Sequence, residues 1–245
     1  AVSMSRAAFL WGRRAAQDGA AVLAHARPQA AVSPAPTLEQ LIARRENILT
    51  DYQDAAYAGR YRKQVEQVRA AEAALGSTRL ATAVANNLFK LMAIKDEYEV
   101  ARLYAESDFM QKIGERFEGD FTLRFHFAPP LLARPDPKTG QARKLAFGPW
   151  MFTALKWLAK GRWLRGTRWD VFGRSEERRR ERALLADYEA DIAAVLGKLE
   201  HGMLDAAVAL AALPEEIRGF GHVRRRSIDG VAAERAALRA KLGID

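Results

Sequence analysis

Apolar residues recur along most of this chain at the three- and four-residue spacing of amphipathic helices, and at one place only does the period switch to two. Thr37-Leu-Glu-Gln40 has capping-box spacing, and Leu38, Leu41, Ile42, Ile48, Leu49 and Tyr52 continue on one stripe. A long helix or helix pair is expected to run on to Leu75, with Gly59 as its break. Gly76-Ser-Thr78 resets the chain. Leu80, Val84, Leu88, Leu91, Met92 and Tyr98 then support a helix ending near Tyr104, and Ser107-Asp108 can cap a short one. Phe121, Leu123, Phe125 and Phe127 alternate with Thr122, Arg124 and His126, as the buried face of a strand would. After a proline-rich excursion, Lys144 to Phe147 can return as its partner.

Further on, Trp150 to Lys160 reads as a short helix and Gly161 to Gly173 as loop. Ser175 caps a helix running to about Leu199 with Leu184, Tyr188, Ile192 and Val195 inward, and two more helices follow, roughly Leu204 to Leu213 and Ser227 to Leu242. The expected fold is mainly α, a multi-helix domain with a small strand or hairpin element around 121–147. No period of 20 to 50 residues recurs, which argues against a solenoid.

The alanine-rich stretch 1–26 reads as a terminal helix. Its Arg6, Arg13 and Arg14 give it a superficial likeness to a targeting peptide. Starting without Met, the chain reads as cut from something longer. Prolines 28, 34 and 36 break any helix and mark 27–37 as a linker, leaving 38–245 as the main domain.

Composition narrows the chemistry. Zero Cys excludes disulfides, a thiolate nucleophile and an iron–sulfur cluster on this chain's own thiolates. No apolar run is long enough for a membrane span. His25, His126, His201 and His222 lie in no metal-ligand pattern, and no nucleophile elbow, Walker loop or dinucleotide fingerprint is present. The expectation is no catalytic residue, no metal and no cofactor held by this chain.

Charge is concentrated: Arg134 to Arg182 holds 14 Lys or Arg against 5 Asp or Glu, a local +9 equal to the net charge of the whole chain. Trp150, Trp157, Trp163 and Trp169 fall in the same stretch. Such interleaving can bind nucleic acid or an anionic membrane, dock on an acidic protein face, or hold the phosphates of a nucleotide-like cofactor; equally, the tryptophans can be core or interface anchors among solvated charges. Nucleic acid is disfavoured, since no recognised binding motif accompanies the charge. In Leu213 to Arg226, Gly219 and Gly221 flank Phe220, while Arg218, His222 and Arg224 offer donors to an anion or a partner. With Trp150 and His126 these are the candidate interface or anion contacts.

The runs LFKLMAIKDEYEVARLY (Leu88 to Tyr104), FEGDF (Phe117 to Phe121), FHFAPPLLAR (Phe125 to Arg134), FGPWM (Phe147 to Met151) and Leu213 to Val223 carry a resemblance, in order, over most of Leu38 to Leu242. They resemble the C-terminal region of the long fused indolepyruvate ferredoxin oxidoreductases. Residues 1–26 more weakly resemble the closing helix of the preceding 2-oxoacid oxidoreductase catalytic domain. The resemblance implies a cytoplasmic, homo-oligomeric enzyme that oxidatively decarboxylates an aryl 2-oxoacid to an acyl-coenzyme A and reduces ferredoxin. It would use thiamine diphosphate, iron–sulfur clusters and coenzyme A held by upstream catalytic domains. Gly119-Asp120 lacks the third residue of a thiamine diphosphate Gly-Asp-Gly motif and reads as a turn. This chain is therefore expected to be a non-catalytic accessory part of such an enzyme; the alternative is a free-standing basic protein for nucleic acid or an anionic membrane surface.

Overall fold

The computed structural model describes residues 2–26, 36–106, 108–117, 119, 121–128, 143–219 and 221–244, with Val2, Ser3, Ala26, Gly221 and His222 as backbone only. The linker prolines 28 and 34, Ser107, and Glu118 and Asp120 of the FEGDF run lie outside these residues, as does the excursion 129–142. The chain divides into two compact units, Ala1–Thr37 and Leu38–Asp245.

The first unit is two helices, α1 (Val2–Gln17) and α2 (Gly19–Ala26). Asp18 joins them, its carboxylate accepting the Ala21 amide at 2.9 Å as a helix cap does. Trp11 meets His25 edge-on, with ring centroids 5.9 Å apart.

The second unit is mainly α. Its helices are α3 (Leu38–Tyr52), α4 (Ala55–Ala73), α5 (Arg79–Met92), α6 (Glu97–Ala105) and α7 (Phe109–Arg116). After the strands β1 (Phe125–Phe127) and β2 (Leu145–Phe147) come α8 (Trp150–Lys160), α9 (Glu176–Leu196), α10 (Leu204–Ala212) and α11 (Gly221–Lys241). Among the described residues the two strands form one antiparallel sheet, with Phe125 opposite Phe147 and Phe127 opposite Leu145.

Two hydrophobic clusters organise this unit. The larger joins α3, α4, α5, α9 and α10 around Ile42, Leu49, Tyr61, Val65, Leu80, Leu88, Leu91 and Ile192, and the chain end seals it with Leu242 and Ile244. Glu72 is fully buried at the end of α4, and its carboxylate accepts the amides of Leu80 and Ala81, both at 2.8 Å. It thereby satisfies the orphan donors that open α5. Tyr61 and Tyr188 each donate a buried hydroxyl to a backbone carbonyl, of Ala85 and Ala211, at 3.0 Å. Asp191 on α9 fixes α11 by accepting from Arg235 and Arg239.

Among the described residues the smaller cluster has Ala101, Phe125, Leu155 and Ala159 buried, with Tyr104, Phe127, Phe147 and Phe152 packed around them. It forms a lobe in which α6 and α8 lie together under the hairpin.

Several boundaries differ from the sequence reading. The break after α3 is at Gln53-Asp54 rather than Gly59, because Asp54 caps α4 by accepting the Tyr57 amide at 2.7 Å. The helix expected up to Tyr104 is divided at Ala93–Asp96, where Asp96 accepts the Glu99 amide and starts α6. The strand is confined to Phe125–Phe127, opposite the three residues that pair with it, and Phe121 sits exposed beside Phe117. Finally, α11 begins at Gly221, six residues before Ser227. Ser227 instead ties the preceding loop, donating to the Glu216 carbonyl at 2.8 Å and accepting the Arg218 amide at 3.1 Å.

Candidate functional site

Within the described stretch 143–174, basic residues meet the tryptophans on the lobe. On α8 the inward positions are Leu155 and Ala159, so positions 150 and 157, two turns apart, point to solvent on one side. Trp150, Trp157, Trp163 and Trp169 are between 62% and 70% exposed. The sequence left core and interface open for these rings, and they are not core. Lys160 lies over the Trp157 ring at 5.0 Å and Arg168 over Trp169 at 5.1 Å, while Trp150 touches Phe147 edge-on at 5.9 Å. Between Lys144 and Arg174 the one acidic residue is Asp170, and it is buried. The exposed side chains of this stretch thus combine aromatic area with charge of a single sign, a composition that marks interaction surfaces.

Behind that face lies a cleft of about 360 Å³ whose lining includes Tyr52, Tyr57, Asp96, Arg165, Asp170 and Arg178. Arg165 donates to Asp96 through Nε at 2.6 Å and Nη2 at 2.9 Å, and to the Tyr52 carbonyl through Nη1 at 2.6 Å. Its guanidinium carbon stands 3.7 Å from the Tyr52 ring centroid. Burial alone would lower the Arg165 pKa; the hydrogen bonds to Asp96 and the nearby Tyr52, Asp96 and Glu99 hold it above its usual value. Asp170 accepts the amides of Gly166 and Gly173, each at 2.9 Å. Glycine is required at 173, since a Cβ would come within 2.2 Å of the Asp170 carboxylate. Tyr98 is pushed up to about 12, by burial first and by Asp170 next. These charges are spent on one another, clamping the loop 161–174 to α3 and α6.

The structure separates the candidate residues into two places. Trp150 and the exposed His126 of β1 belong to the lobe. Arg218 and Arg224 line a second cleft with Lys90, Glu181 and Arg178, the last of which lines the first cleft as well. Arg224 is bound to Glu181 through two hydrogen bonds, while Arg218 is exposed and donates from Nε to the Glu215 carbonyl at 3.3 Å. Gly219 has φ +86°, and a Cβ there would meet Val223 at 2.6 Å, so the loop needs glycine for its own path. Phe220 and the His222 side chain lie outside the described residues. Sequence reasoning missed the Arg165–Asp96 pair, whose partners are 69 positions apart.

The profile that fits this chain covers residues 38–237, almost the whole of the second unit. The chain belongs to the family of unknown function DUF6537. The family's region starts at Leu38, the first residue of that unit. No curated protein and no solved structure matches the chain. Among the described residues, no helix is long and apolar enough to cross a membrane, and no three His, Asp or Glu side chains gather as metal ligands would.

Proposed function

We propose that this DUF6537 chain is a non-catalytic accessory part of an aryl 2-oxoacid ferredoxin oxidoreductase of the indolepyruvate type, and that it docks on the enzyme's catalytic domains through the tryptophan-bearing lobe. The observation that carries the docking is the outward placement of Trp150, Trp157, Trp163 and Trp169 on a lobe that, among the described residues, buries four apolar side chains. Exposed aromatics of this size have no folding role where they stand, and tryptophan and arginine are the side chains that most often anchor protein interfaces. The absence of exposed carboxylates on the same stretch calls for an acidic, apolar-pocketed counterpart. The enzyme class itself rests on the ordered resemblance over Leu38 to Leu242. In this reading thiamine diphosphate, the iron–sulfur clusters and coenzyme A belong to the catalytic domains, and ferredoxin is the partner of the whole enzyme.

The test is expression of those catalytic domains with and without residues 38–245, assayed for aryl 2-oxoacid- and coenzyme A-dependent reduction of ferredoxin. The proposal expects the chain to co-purify and raise activity; full activity without it, or no such activity with it, would refute the assignment. A second reading rests on the same lobe: a free-standing protein that binds nucleic acid or an anionic membrane. It predicts polyanion binding that falls steeply with salt, whereas the accessory reading predicts little such binding at any salt.

A further inference from the structure

Cations from three separate segments line a cleft of about 470 Å³: Lys90 on α5 and Lys95 just beyond it, Arg178 on α9, and Arg218 and Arg224 beside the start of α11. Glu177 and Glu181 line it as well, and Glu181 is held by Arg224. Glu97 adjoins Arg178 at 3.4 Å and Glu215 adjoins Lys90, and the excess of charge stays positive. The arrangement is tight at one point. Lys90 Nζ and Arg218 Nε donate to the same carbonyl, that of Glu215, at 3.4 and 3.3 Å, so the two cations are no further apart than those distances together allow. Lys90 also donates to the Pro214 carbonyl at 2.6 Å.

Two cations sharing one neutral acceptor repel each other, and a neutral carbonyl does not offset that repulsion as an anion would. The Lys90 ammonium is held below its usual range by partial burial, then by facing Arg224 and Arg218, with Glu215 opposing. We propose that this cleft binds a phosphate-bearing anion, with Lys90, Lys95 and Arg218 as its principal contacts and Arg178, which donates to the Lys95 carbonyl at 3.3 Å, beside them. Phosphate fits better than a carboxylate because the donors approach from several elements rather than as one planar fork. A tetrahedral, multiply charged group can accept from each, and lysine serves such groups as a point charge. The proposal does not rest on the accessory assignment, since it is argued from the cations of this cleft and no tryptophan lines it.

Calorimetric titration of sodium pyrophosphate into the intact chain, at fixed ionic strength and neutral pH, tests it. One saturable site is expected. The exposed double substitution Lys95→Ala/Arg218→Ala should weaken it roughly tenfold or more, the effect of losing charge-assisted hydrogen bonds. Arg44→Ala, on α3 outside the cleft, should leave it unchanged. Absence of a saturable site, or an equal loss from Arg44→Ala, would overturn the proposal. Sedimentation with phosphatidylcholine:phosphatidylglycerol vesicles distinguishes the source of the phosphate: binding that pyrophosphate competes away assigns a lipid headgroup, and pyrophosphate binding without vesicle binding assigns a free phosphate compound.

Discussion

The helical body and the hairpin lobe spend similar apolar side chains in opposite ways. The body draws Ile42, Leu49, Leu80, Leu88 and Leu91 out of water almost completely, with buried tyrosines and Glu72 satisfied internally. The lobe buries two alanines, one phenylalanine and one leucine and sends its four tryptophans outward. Hydrophobic burial scales with apolar area removed from water, so the body draws more stabilisation from its apolar side chains than the lobe, which leaves its largest ones in solvent. Apolar content is therefore a poor guide to where a core lies; the direction of the side chains decides it.

The sharpest way to break that comparison is truncation on each side of it. Leu88→Ala should cost about 2–5 kcal/mol in denaturant unfolding, since it opens a cavity in a fully packed site. Glu72→Ala should cost about 1–3 kcal/mol by leaving the Leu80 and Ala81 amides buried without an acceptor. Trp157→Ala should change the unfolding free energy of the isolated chain by no more than about 0.5 kcal/mol, as exposed substitutions do. If Trp157→Ala cost as much as Leu88→Ala, the contrast between body and lobe would collapse.

The smallest expected effect is a pH dependence at the seam between the two regions. Burial raises the Glu97 carboxyl above 4.5, with Arg178 opposing. A carboxyl with a raised folded value binds more protons folded than unfolded, so its contribution falls as pH rises from about 4.5 through the folded value. The stability difference, parent minus Glu97→Gln, should therefore decline across that window. A difference that grows with pH would mean that pairing with Arg178 outweighs burial.

Much of the body was legible because local signals agreed with tertiary packing. Ser175 caps α9 as its position foretold, and Tyr188, Ile192 and Val195 point inward. The misplaced boundaries came from competing local chemistry. Asp54, an N-cap, set the break that Gly59 was expected to set; Gly59 sits on α4 with open space where its Cβ would be. For α8, either face of the Trp150–Lys160 pattern could have been inward, and only packing against α6 selects Leu155 and Ala159. The first cleft was not legible, and of the second only Arg218 and Arg224 were singled out, because Arg165 with Asp96 and Lys90 with Arg218 become neighbours only through the folded chain.

The most direct test of the docking claim is co-sedimentation of the chain with the catalytic domains, comparing the parent with the quadruple variant Trp150→Ala/Trp157→Ala/Trp163→Ala/Trp169→Ala. The account predicts a stable complex for the parent and none for the variant, whose own unfolding and helical circular dichroism stay close to the parent's. A variant that still joins the complex, or one that fails only because the isolated chain has unfolded, would contradict it.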